Sequence, residues 1–423
     1  MAVKTFNPSV ASTELQQTSS FDPDVARSGY RRREVLLAGA FRSFFLMTAI
    51  YACLAVGAWV AVLFGWLRLP LGMSPVYWHA HEMLFGFVPA AIAGFLLTAM
   101  PNWTGAAPLS GTRLLALISL WLAGRLAMTF SGDLPLPLVA ALDLAFLPVL
   151  ASYAFLVLRR HGNRRNYPLA LVLGFMAFCN LLMHLTFMKI LPAPVDQVAI
   201  YADLDLICVV MVIIAGRIVP TFTMNWLRVN QGDPRVVRLL PWVERLAVPV
   251  TVALAPADLL VNHTWLAGVI AFLAAAVHGL RLYHWRGWHA RREPLLWILH
   301  VGYGWIVLAL LLKGLAAFTA DVGAAAWIHA LGVGGAATLI LGVMTRVAVG
   351  HTGRALRLRR GGLVIYGAVL AAGLARVAIA LGIPLYGVWT YPLIAVCWVA
   401  AFGLFAALYW PVLSRPRVDG RPG

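Results

Sequence analysis

His79-Ala80-His81-Glu82 opens a stretch that is otherwise apolar enough to cross a membrane. Two imidazoles and a carboxylate at a buried helix end are costly, and such groups are kept where they bind or react. Three more histidines, His184, His300 and His329, fall inside other apolar segments of membrane length. Imidazole is the usual protein ligand for haem iron and for copper. The pattern points to a polytopic membrane protein with redox metal inside its helix bundle. The plainer reading of each ring is an interhelical hydrogen bond.

The elements that must position these residues follow from composition. The chain is 61% hydrophobic and 12% charged, which places it in the membrane class. About twelve helices are expected, near 41–66, 77–100, 112–130, 136–158, 168–191, 198–220, 242–262, 264–285, 295–318, 325–349, 362–382 and 388–413, each longer than the ~17 residues a span needs. The fold class is therefore all-α, with a disordered segment 1–40, a transmembrane domain 41–413 and a short tail 414–423. Residues 1–30 lack the apolar core of a signal peptide.

The net charge of +17 does not imply nucleic acid, because its distribution follows topology. Arg31, Arg32, Arg33 and Arg42 precede the first helix, and Arg159, Arg160, Arg164 and Arg165 follow the fourth. Arg228, Arg235 and Arg238 follow the sixth, Arg281, Arg286, Arg291 and Arg292 are assigned between the eighth and ninth, and Arg354, Arg357, Arg359 and Arg360 follow the tenth. The alternate loops 131–135 and 192–197 carry no Lys or Arg. This is the positive-inside pattern, with both termini cytoplasmic.

Helices 2, 6 and 10 resemble one another around Gly94, Gly216 and Gly342, spaced 122 (216 − 94) and 126 (342 − 216) residues apart. Thirteen residues before each glycine stand His81, Asp203 and His329. Pro168 and Pro294, again 126 apart, open helices 5 and 9. Three pseudo-repeated four-helix units are expected, all in one orientation, which does not fit the inverted repeats of many transporters.

By depth, His79, His81, His184 and His329 share the outer third of the bundle, with Glu82, Asp203 and Asp205 as candidates for proton or charge roles. His79 and His81 are about 200° apart on an ideal helix, so both serve one site only if the helix start is distorted or one ring bonds elsewhere. Near the inner face stand His300, Arg217, Arg346 and His351, where arginines could pair haem propionates or snorkel to water. Arg125 is a further buried cation, with Asp143 as its expected partner. His161, His263, His278, His284 and His289 are read as surface or interfacial. No Walker loop, CxxC or CxxCH occurs, so nucleotide-driven transport, a disulfide and covalently attached haem are not expected.

Tyr77–Gly105, reading YWHAHEMLFGFVPAAIAGFLLTAMPNWTG, resembles the signature of the NnrS family. So do Gly124-Arg125-Leu126, Arg164–Tyr167, Asn180–His184, Gly216-Arg217 with Pro220, Pro294–Trp305, His329-Ala330, and Met344–Arg346 through Gly350–Arg354. The resemblance covers nearly all of residues 40–410. It implies a bacterial inner-membrane protein containing haem and copper, linked to nitric oxide metabolism and protection from nitrosative stress.

Twelve helices in threefold units also resemble the architecture of the haem–copper oxidase catalytic subunit, without its ligand pattern. The expected activity is binding and reduction or detoxification of nitric oxide, with an unidentified electron donor. The alternatives are a non-catalytic nitric oxide sensor or metal-binding protein and, less favoured, a transporter. In this reading His329 or His81 is the axial ligand of a non-covalent b-type haem. His184 and His79 belong to copper, and Arg217 and Arg346 anchor propionates if the haem reaches that far inward.

Overall fold

Apolar segments cannot leave backbone N–H and C=O groups unpaired in hydrocarbon, so they close their hydrogen bonds within helices. The computed structural model describes residues 32–259, 264–385 and 387–420, and these form helices and connecting loops, with no strand among the described residues. Of the expected N-terminal segment, residues 1–31 lie outside the described residues, and Arg32–Leu36 forms a short helix.

The helices are α1 (Ala40–Leu63), α2 (Pro75–Thr104), α3 (Gly111–Thr129), α4 (Leu136–Arg160), α5 (Tyr167–Phe187) and α6 (Pro194–Val229). They continue with α7 (Pro241–Val252 and Leu254–Leu259), α8 (Thr264–His284), α9 (Pro294–Phe318), α10 (Ala324–Gly350), α11 (Gly362–Ala380) and α12 (Thr390–Leu413). Eleven of these are long and apolar enough to cross a membrane.

The remaining expected span, α7, is broken at Ala253. Pro256 explains the break: a proline ring clashes with the carbonyl four residues earlier, here Val252. Pro148 acts in the same way on Leu144, where α4 is interrupted at Ala145. A proline need not end a helix, however. Helix α6 was expected to stop near Pro220 but runs on to Val229. There the Thr221 and Thr223 hydroxyls bond to the carbonyls of Arg217 and Val219.

Two of the three repeat glycines pack alike. Gly94 lies against Phe44 and Phe45 of α1, and Gly342 against Ile298 and Leu299 of α9, so each glycine meets the first helix of its own unit. Gly216 admits the Arg281 guanidinium. The ring of units closes where α12 packs along α1. Arg42 donates to the carbonyls of Leu413 and Arg415 at 2.8 and 2.9 Å, and Trp398 donates to Ala52 at 2.9 Å. A cation at a helix C-terminus meets its orphan carbonyls and the negative end of its dipole.

Three residues expected at the surface or in loops are buried. Arg42 lies in the first turn of α1, and Arg281 lies within α8. His278, expected to be interfacial, is fully buried between Thr251 Oγ1 at 2.8 Å and Tyr303 OH at 2.7 Å. Thr251 already donates to Ala247, so it accepts from His278 Nε2, and Tyr303 donates to Nδ1. Tyr303 in turn accepts from Arg281, which is paired with Glu244. His263 lies outside the described residues.

Candidate metal centre

Ser74 begins α2 by accepting the Tyr77 amide on its hydroxyl, with Pro75 as the first helical residue. One regular α-helical segment follows, through His81. The helix then widens into a π-helical segment, Glu82–Phe87. Pro89 supplies a cause, since its ring excludes a normal bond to Phe85, four residues back. A second π segment, Ala330–Ala337, follows His329 directly. The two repeat-equivalent histidines thus end regular helix in the same way. Such π segments occur often at functional sites.

His81 is buried at the centre of a polar cluster drawn from α1 to α5. Its Nε2 lies 2.9 Å from Asn180 Oδ1 and 3.1 Å from Asp143 Oδ2. His184 Nε2 reaches the same Asp143 oxygen at 2.8 Å. One ligand atom from each of His81, Asp143 and His184 lies within 4.8 Å of the others. The second nitrogen of His81, Nδ1, faces Glu82 Oε1 at 3.0 Å. Arg125 bridges the carboxylates, donating to Glu82 Oε2 at 2.7 Å and to Asp143 Oδ1. Tyr51 donates to Glu82, and Asn180 donates to Asp143 at 2.8 Å.

The charges can be followed through this network. Two carboxylates face one guanidinium, and both nitrogens of His81 face acceptors. A cation bound at Nε2 would leave Nδ1–H on Glu82. A carboxylate behind a ligating imidazole is the usual outer shell of a protein metal site, where it fixes the tautomer and raises basicity. The donor chemistry therefore fits a first-row transition metal. The expected partnership of Arg125 with Asp143 is present, and Asp143 also joins the candidate ligand set.

His79 faces elsewhere. It stacks on Trp59 with ring centroids 4.0 Å apart, and its buried Nδ1 has no hydrogen-bond partner. It stands within electrostatic range of His329 and Arg376. His329 donates Nδ1–H to Ala325 O at 2.8 Å, which leaves an Nε2 lone pair. One turn further on, Gly332 borders open space, since a Cβ there would meet nothing within 4 Å. The four histidines expected at one depth therefore divide into two pairs, His81 with His184 and His79 with His329.

The meeting of the second and third units carries a different chemistry. Lys313 Nζ lies between Asp205 at 2.6 Å and Asp258 at 2.7 Å, 4.5 Å from the centre of the Trp327 ring. Asp203 is fully buried, and neither of its oxygens has a hydrogen-bond partner.

The inner group is dispersed. His300 bonds to Thr223 through Nε2 at 3.0 Å, and its buried Nδ1 is unpartnered. It lines a groove of about 690 Å³ between α8 and α9, with Gly279, Gly287, Gly304 and Trp288. Arg217 bonds to Asn166, and Arg346 lies over Phe222. Arg346 is 17 residues from His329, or roughly 25 Å along a helix. His351 caps α10 beside Phe41.

Sequence reasoning passed over Tyr51, Trp59, Arg376 and the Lys313–Asp258 pair. Lys313 and Arg376 were detectable as single cations within apolar runs.

The family model for NnrS protein matches residues 35–417. The chain belongs to the NnrS family. No curated protein matches it. Both π segments and both histidine pairs of this NnrS-family chain fall within the matched region, as does the Lys313 cluster.

Proposed function

We propose that the chain is a nitric oxide-binding and nitric oxide-reducing protein of the bacterial inner membrane, with copper at His81, His184 and Asp143 and haem at His329. The observation that carries this reading is the convergence of two imidazole nitrogens and a carboxylate oxygen in the bundle interior. Membership of the NnrS family supports the link to nitric oxide, haem and copper. The alternating basic loops support cytoplasmic termini.

Haem and copper, when bound, supply the one-electron chemistry that side chains lack. The remaining work falls to the chain. Glu82 holds the Nδ1 proton of His81 and orients that ring. Arg125 pairs with both carboxylates and fixes their positions. Asn180 orients the faces of His81 and Asp143. Tyr51 offers a hydroxyl proton to Glu82.

At the second pair, His329 would hold a haem iron through its Nε2 lone pair, Gly332 leaves room beside it, and Arg376 would pair with a propionate. His79 faces the same region with a free Nδ1. Joining two nitric oxide molecules into nitrous oxide and water consumes two electrons and two protons. The carboxyl of Asp203, buried without a hydrogen-bond partner and within electrostatic range of Cys179 on α5, is a candidate proton holder.

One observation favours a second reading, metal binding without turnover. The ring nitrogens of His81 and the carboxylates of Glu82 and Asp143 are held by hydrogen bonds within the cluster, which leaves little room for a reacting molecule beside them. The test uses purified protein in detergent: metal content, then the reduced absorption spectrum with and without nitric oxide, then released nitrous oxide. Haem and copper with nitrous oxide release support reduction. A nitric oxide-shifted spectrum without release supports the second reading, and the absence of both metals sinks both. His329→Ala and His300→Ala compared for haem content decide between the His329 position and the groove beside His300.

A further inference from the structure

The three helices that carry the repeat do not close fully on one another. A cavity of about 80 Å³ lies between α2, α6 and α10, with Phe45 of α1 at its side. Its wall includes two complete sets of repeat-equivalent residues. Val88, Val210 and Ala336 form one set, and Ile92, Ile214 and Ile340 the other. Both sets keep the 122- and 126-residue offsets of the three glycines. The cavity therefore sits on the pseudo-threefold axis.

Its chemistry is uniform. Every lining residue is Ala, Val, Ile, Leu, Met or Phe. A buried water needs two to four polar partners, and cavities lined only by aliphatic and aromatic side chains stay dry and take up apolar atoms and molecules. A water-sized occupant needs about 10–15 Å³ of such space, so about 80 Å³ leaves room for a small apolar molecule. The position is also telling. Val88 follows the π segment that begins at Glu82, and Ala336 lies within the π segment that follows His329. The chamber thus adjoins the helical segments that position the polar centres. The outer parts of those helices are packed together, as the contacts of both π segments with α6 show.

We infer that this axial chamber binds small apolar gas molecules taken up from the bilayer and holds them beside the histidine-bearing helices. The extension to nitric oxide rests on the function proposed above, whereas the binding of an inert gas does not.

The test is xenon binding to the full chain in detergent, by crystals under xenon pressure or by xenon NMR. Ala336→Leu and Ala91→Leu each fill the chamber from a different helix, so one remains informative if the other fails to fold. The expected result is xenon on the axis of the unsubstituted protein, with affinity falling at least tenfold in either folded variant. No xenon on the axis, or equal affinity after filling, overturns the inference. Because the probe needs no metal, xenon binding by a metal-free preparation keeps the chamber while removing the proposed reductase.

Discussion

His79 and His81 stand two residues apart on α2 and serve different neighbours. His79 stacks on Trp59 of α1, while His81 lies between Glu82, Asn180 and Asp143. A regular helical turn holds them about 200° apart, and the π segment begins only after His81. The two histidines of this short motif thus face different sets of neighbours, as their angular separation on a regular helix requires.

This division predicts separable losses. His81→Ala is expected to abolish copper binding and leave most haem, while His79→Ala leaves copper in place. Metal analysis together with the absorption spectrum of each variant checks this. Equal loss of both metals in both variants would show a single centre.

Arg125 balances two buried carboxylates, Glu82 and Asp143. Removing one partner from a buried ion pair costs about 3–5 kcal/mol, because the other charge is left uncompensated. Arg125→Met should therefore unfold at a markedly lower temperature in detergent. Adding Glu82→Gln to Arg125→Met should recover part of the loss. A double variant no more stable than the single would argue against charge imbalance as the cause.

Lys313 predicts a similar pattern where the second and third units meet. Lys313→Met strands Asp205 and Asp258 beside each other, at a cost of about 3–5 kcal/mol. Neutralising both acids in the same chain, as Asp205→Asn and Asp258→Asn, should restore most of the thermal stability. Metal content should be unchanged throughout, since no His81-cluster residue is touched.

His351 predicts a sign for acid sensitivity. Burial, and then the nearby Arg417 charge, hold its imidazole below the ordinary histidine range. The folded chain therefore favours the neutral ring, while the unfolded chain takes up a proton near pH 6.5. The His351 contribution is present above that pH and declines as pH falls below it. His351→Phe, which retains an aromatic ring beside Phe41, should show a smaller drop in melting temperature between pH 7 and pH 5. An identical drop in both proteins would remove His351 as the source.

Much of the helix order was legible in the sequence, because hydrocarbon leaves a backbone few choices. Boundaries were least legible where prolines act. Pro256 breaks α7 and Pro148 interrupts α4, whereas Pro220 leaves α6 intact. Proline removes the same backbone donor in each case, and the surrounding packing and hydroxyl groups decide whether the helix continues.

The sequence by itself determined the membrane class, the threefold spacing of Gly94, Gly216 and Gly342, and the histidines worth attention. Those features depend on composition and periodicity, which are local. Only the tertiary structure decided that His81 meets His184, that Asp143 joins them, and that His79 turns toward His329. Those pairings depend on helix rotation and on two π segments. A shift of a few tens of degrees about a helix axis moves a side chain from one interhelical space to the next, and no spacing rule along a single chain records it.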